Sequence, residues 1–284
     1  MLWGTIFGMA LLGGDESLFI NPGVLEQDYL PRLIPYRESQ HQYLAECIKP
    51  LFNSRNGTNL LVCGPSGIGK TACVMYILRK LREESDAILP MYVNCWKTDT
   101  STKIIYDMAK KLDIRYVEGK GADEVFDLVI RALNKQSSVV FAFDEFDKVQ
   151  DHRFLYRILE DVPLKTIFIV SNNIEWMNTI DPRIKSRLSL EKVEFKPYNY
   201  EETKGILHER SKYAFVVNVW EYEANELVVK KAFEIGDIRF GLALLKKSGE
   251  VAENRGSRKI EVPDVERAIE KLRDFYDKRP KAFF

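Results

Sequence analysis

The run Asn59-Leu-Leu-Val-Cys63, followed directly by Gly64-Pro65-Ser66-Gly67-Ile68-Gly69-Lys70-Thr71, constrains this chain more than any other segment. The first five residues read as a strand buried on both faces, because the apolar run is short and bounded by turn residues. The next eight fit G-x-x-x-x-G-K-[ST] in full, and Ala72 to Arg82 carries the apolar spacing of a helix. Strand, glycine-rich loop and helix in that order gather backbone N–H groups and a helix N-terminus around one point, which suits a phosphate. Lys70 is expected to reach the β- and γ-phosphates and Thr71 to hold Mg²⁺ through its hydroxyl. ATP or ADP with Mg²⁺ is therefore the implied cofactor.

A triphosphatase also needs a hydrophobic strand ending in an acid. Val139-Val-Phe-Ala-Phe143-Asp144-Glu145 supplies it. Asp144, at the carboxyl end of that strand, is placed to complete the Mg²⁺ shell. Glu145 beside it is placed to orient an attacking water and take its proton. A small-molecule kinase is disfavoured, because those enzymes rarely put a glutamate directly after this aspartate.

The rest of the chain fits an α/β fold. LPMYVNC (89–95), SVVFAFD (138–144), KTIFIVSN (165–172) and LEKVEF (190–195) read as further strands, with helical spacing over 37–52, 102–112, 123–133, 152–160 and 182–187. Strands alternating with helices imply a mostly parallel five-stranded sheet covered on both faces. From Tyr200 onward only helices are expected, over 201–214, 223–235, 240–254 and 263–277. A chain of 284 residues exceeds what one core usually organises. The expected division is an apolar N-terminal arm over 1–26, an α/β nucleotide-binding domain over 27–197, and a small all-helical lid domain over 198–284.

Composition excludes several classes. Forty-two Lys+Arg balance forty-two Asp+Glu, so a uniformly basic coat is out, and residues 229–284 carry only a small basic excess. The four cysteines form no C-x-x-C and the three histidines do not cluster with them. A disulfide framework, a structural zinc site and a Ser-His-Asp hydrolase are therefore disfavoured, and a reducing cytoplasm is the expected location. The opening MLWGTIFGMALL lacks a basic flank and a cleavage site, and it is too short for a stable membrane span.

Taken in order, these landmarks resemble the AAA+ ATPases of the origin-recognition and replication-initiator type, in particular the archaeal members. PYRESQ (35–40), GPSGIGKT, VNC (93–95), FDEFDKV (143–149), IVSNN (169–173), DPRIKSRL (181–188), FKPYNYEE (195–202) and GDIRFGLALL (236–245) follow one another with family-like gaps. The resemblance, spanning roughly Tyr29 to Leu272, implies a P-loop nucleotide-binding fold with a helical lid. It implies that Asn172 is the first sensor, a polar amide near the γ-phosphate, although Asn173 leaves the register open by one. It implies that Arg239 is the second sensor, that Arg187 is an arginine finger reaching a neighbouring subunit, and that Tyr36, Arg37, Tyr198 and Ile206 surround the adenine. Family members usually continue into a DNA-gripping winged helix, and a chain ending at Phe284 is expected to lack one, leaving weak or non-specific binding to duplex DNA. A second DNA-contacting stretch would correspond to 96–111, which reads equally as Lys97, Thr98, Ser101 and Lys103 meeting phosphates or as an amphipathic helix packing through Ile104, Ile105 and Met108. Two readings result: a slowly hydrolysing ATP switch in DNA replication or a related nucleoprotein process, or a nucleotide-dependent protein-assembly accessory that does not bind DNA. Protein partners or self-association through Arg187 are expected in either case.

Overall fold

Five short β-rich runs pair into one sheet, and the reason is visible in their alternation. In the computed structural model, which describes residues 17–276, the strands are β1 (Leu60–Cys63), β2 (Ile88–Asn94), β3 (Ser138–Asp144), β4 (Lys165–Ser171) and β5 (Glu191–Glu194). All pairings are parallel, in the order β2-β3-β4-β1-β5. Successive side chains on a strand point to opposite faces. Leu61, Phe141, Phe143, Ile167 and Ile169 accordingly enter one core, and Leu60, Val62, Val140, Ala142, Phe168 and Val170 the other. Every residue of β1 and β3 is buried, as a sheet covered on both sides requires.

The helices of this unit are α1 (Glu38–Ile48), α2 (Lys70–Glu84), α3 (Ser101–Lys111), α4 (Ala122–Leu133), α5 (Arg153–Asp161) and α6 (Pro182–Leu188). Helices α1 and α2 bury Leu44, Ile48, Val74 and Leu78 on one face, and α3 to α6 bury Ile104, Val129, Leu155 and Ile184 on the other. Among the described residues, short 3-10 turns at Lys49–Asn53, Phe146–Lys148 and Glu175–Asn178 of this unit, and at Pro22–Leu25 outside it, add to the elements expected from spacing.

The chain divides into two compact units, Leu30–Pro197 and the described residues on either side of it. The second unit holds α7 (Tyr200–Ala214), α8 (Tyr222–Ile235), α9 (Ile238–Asn254) and α10 (Val262–Tyr276). Asn199 starts α7 with a complete capping box: its side chain accepts from Glu202 N–H, and the Glu202 carboxylate accepts from Asn199 N–H. Residues 17–25 belong to this helical unit. Leu18, Val24 and Leu25 are buried among Val228, Leu244 and Leu245. Phe19 lies 4.6 Å from the Phe215 ring, and Ile20 N–H donates to Ala214 C=O at 2.8 Å. Gly249 makes that fit: a Cβ there would meet Phe19 Cζ at 2.4 Å. The start of the apolar arm, residues 1–16, lies outside the described residues. Among the described residues no helix is long and apolar enough to cross a membrane.

Candidate functional site

In a parallel sheet all strands deliver their carboxyl ends to the same edge, so the order β3-β4-β1 sets three loops side by side. They are Asp144-Glu145 after β3, Asn172 after β4, and the loop 64–71 after β1.

Gly64 opens that loop at φ 144° against the carbonyl of Phe195, which a Cβ would meet at 2.3 Å, so no side chain fits. Gly67 and Gly69 also have positive φ, 76° and 90°. Gly69 is the N-cap of α2 and supplies no side-chain cap, so the first-turn N–H groups of α2 face the loop. Ile68 is buried at 1% exposure and anchors the loop in the core. Lys70 is itself only 6% exposed. Its Nζ donates to the carbonyls of Gly64 at 2.8 Å and Pro65 at 2.5 Å, and to Asn172 Oδ1 at 2.8 Å.

Asn172 passes this contact on. Its Nδ2 donates to Glu145 Oε2 at 2.7 Å. The two bonds fix the amide orientation, because an ammonium needs the oxygen and a carboxylate needs the NH₂. Asn173 is engaged elsewhere: its amide brackets Glu175, donating to the carboxylate at 2.9 Å and accepting from the N–H at 2.8 Å. Of the two asparagines, Asn172 is the one that touches Lys70 and Glu145.

Asp144 is 2% exposed. Tyr92 Oη donates to its Oδ2 at 2.8 Å and Glu145 N–H to its Oδ1 at 2.9 Å. Burial pushes its carboxyl above the usual range, and the hydrogen bonds from Tyr92 and Thr71 and the charge of Lys70 oppose the rise. Glu145 is raised as well, first by burial and then by the charges of Asp144 and Asp147, with Lys70 and Lys148 opposing. Its backbone is left-handed at φ 52°, an uncommon state for a non-glycine residue that turns the chain off β3.

Two residues of this network were not anticipated. Tyr92 supports Asp144, and its register explains how: it pairs with Ala142, so Asp144 is its diagonal neighbour on the same face. The alternation of LPMYVNC carried that signal. Asp147 holds β4 in place, accepting from Ser171 Oγ at 3.1 Å and from Asn172 N–H at 3.3 Å.

Tyr36 has φ 63°, is 41% exposed, and its N–H donates to the Glu38 carboxylate at 3.0 Å. Arg37 is buried and bonds the backbone carbonyls of Ile68, in the loop, and Lys196. Arg187, on α6, is half exposed, ion-paired with Glu160 and set 5.4 Å from the Tyr156 ring. In the helical unit, Tyr198 and Ile206 are buried. Arg239 lies in the first turn of α9 rather than before it, and its guanidinium forks onto Asp237 at 2.7 and 3.1 Å.

A parallel sheet with this loop and acidic strand end, in a chain that also carries a helical lid, defines an AAA+ ATPase. A family model described as an AAA domain matches residues 54–177, and one described as a Cdc6 AAA+ ATPase-type lid domain matches residues 204–270. The chain is 34% identical over 276 residues to an ORC1-type DNA replication protein 1 of Archaeoglobus fulgidus, covering 92% of this chain and 68% of that protein. Its fold matches the structure of the Aeropyrum pernix ORC1 protein in complex with DNA with a TM-score of 0.81, at 26% identity, covering 93% of this chain and 73% of the other. It also matches the fold of Cdc6p from Pyrobaculum aerophilum with a TM-score of 0.80, at 19% identity, covering 93% and 76%. The chain belongs to the ORC1-type family of DNA replication proteins.

Proposed function

We propose that this chain is a nucleotide-driven switch of replication initiation, which binds ATP at residues 64–71, hydrolyses it slowly to ADP and phosphate, and changes its hold on duplex DNA between the two states. The observation that carries this reading is the chain of hydrogen bonds from Lys70 through Asn172 to Glu145, which ties the phosphate loop to the residue that can take a proton. Such a bridge lets the occupant of the loop set the orientation of the Glu145 carboxylate.

In this reading Lys70 exchanges its loop carbonyls for the β- and γ-phosphates, and the N–H groups of the loop and of the first turn of α2 bind phosphate oxygens. Glu145, oriented by Asn172, accepts the proton of the attacking water. The Thr71 hydroxyl is among the groups that offset the burial of the Asp144 carboxyl, and the two together fit Mg²⁺: a hard oxygen pair that leaves the remaining positions for water and phosphate. Bound there, Mg²⁺ would supply charge neutralisation on the phosphates. Arg239, presented by α9, is assigned to reading the nucleotide state in the lid. Arg187 is assigned to a neighbouring subunit's site, for which it must leave Glu160.

DNA enters through the relatives, since the Aeropyrum pernix match is a complex with DNA. Duplex binding measured against salt, with ATP, with ADP and without nucleotide, tests the reading. Affinity is expected to depend on the nucleotide and to fall steeply with salt, with a log–log slope of about −0.9 per phosphate neutralised. No binding at low salt in any nucleotide state contradicts it and favours an assembly accessory that does not touch DNA.

A further inference from the structure

Arg37 joins two backbone segments far apart in sequence. The residue is 5% exposed, and its Nη2 donates to the carbonyl of Ile68 at 3.0 Å and to that of Lys196 at 2.7 Å. The charge also lies over the Phe195 ring, 5.2 Å from its centre. Ile68 is in the phosphate loop. Lys196 precedes Pro197, after which the chain leaves the α/β unit. The same segments meet again at the base of the loop, where Phe195 N–H donates to Cys63 C=O at 2.8 Å and Gly64 passes against the Phe195 carbonyl. Loop and exit segment therefore share one set of contacts.

We infer that Arg37 is a positioning residue that transmits the state of the phosphate loop to the hinge at 195–198. The inference rests on the proposal that the loop binds nucleotide. The Ile68 carbonyl and the Gly69 N–H belong to one rigid peptide plane. Turning that N–H toward a phosphate rotates the carbonyl on its far side. The Nη2 that holds this carbonyl also holds Lys196, so a rotation at one end displaces the other. Arginine suits this role because its planar, permanently charged group presents fixed donors, whereas a lysine ammonium is a mobile point charge. Burial strengthens both bonds, because no water competes for the carbonyls.

Hydrogen exchange followed by mass spectrometry on the full chain tests the link, with ADP and Mg²⁺ as the probe. Peptides spanning 64–71 and 193–200 are compared in wild type, Arg37→Gln and Arg37→Lys. In wild type, ADP is expected to slow exchange in both. In Arg37→Gln, with ADP affinity weaker on the order of tenfold and ADP raised to saturation, the loop stays protected while the hinge loses most of its ADP-dependent protection. Arg37→Lys is expected to fall between, and it carries the comparison if the glutamine variant does not fold. Hinge protection equal to wild type in the variant, with the loop protected, overturns the inference, as does a wild-type hinge that ignores ADP. Absence of protection at both segments in wild type overturns the nucleotide-binding reading itself.

Discussion

Gly64 shows how little freedom the site leaves at single residues. Its φ of 144° and its approach to the Phe195 carbonyl each exclude a side chain. Gly64→Ala is expected to destabilise the α/β unit by about 1–3 kcal/mol from backbone strain alone, and to weaken ADP binding, as read by denaturant unfolding and by titration. His152 gives a second prediction at this scale. It is half-buried beside Phe146 and Trp176, and its buried Nε2 has no hydrogen-bond partner among the described residues. Burial lowers its pKa below 6.5, with the Asp151 charge opposing. The unfolded chain therefore binds this proton more readily, and the stability present above 6.5 is lost as the pH falls toward the depressed folded value. His152→Phe, which keeps an aromatic ring and removes the titration, is expected to flatten the fall in Tm over that range. His41, lowered by its own burial, keeps its share. The loop that leads into α2 at Lys70 and the strand that ends at Asp144 were legible in the sequence, because each is a continuous run. The backbone contacts of Arg37 were not, because its partners lie 31 and 159 residues away.

At the scale of elements, short apolar runs and helical spacing made the strands and helices readable. β3 coincides with the expected SVVFAFD, and α7 begins where Asn199 and Glu202 can exchange bonds. The 3-10 turns escaped, since three to five residues carry no period. The segment 17–25 escaped for a different reason: its apolar residues show that it packs, while its place among the lid helices depends on Phe215 and Gly249, distant in the chain. Leu25 is 2% exposed there. Leu25→Ala is expected to destabilise the helical unit by about 2–5 kcal/mol, the range for a large-to-small change in a packed core. Urea unfolding followed by lid fluorescence, for instance at Trp220, checks this. A change within about 0.5 kcal/mol would show that the segment does not contribute to the lid core.

For the whole molecule, the decisive fact is the order of the sheet. Strands 138–144, 165–171 and 60–63 are distant in sequence but adjacent in space, and their shared direction brings Glu145, Asn172 and Lys70 within one run of hydrogen bonds. The order of motifs along the chain pointed to an ATPase, but the bridge through Asn172 became visible only with the sheet assembled. ATP binding and phosphate release by wild type, Lys70→Ala and Glu145→Gln in the presence of Mg²⁺ probe that bridge and its chemistry together. Wild type is expected to bind and slowly release phosphate, and Lys70→Ala to lose binding. Glu145→Gln should bind ATP yet release phosphate ~10²–10⁴-fold more slowly, the usual worth of a general base. Unchanged ATP affinity in Lys70→Ala, or undiminished phosphate release in Glu145→Gln, would contradict this mechanism.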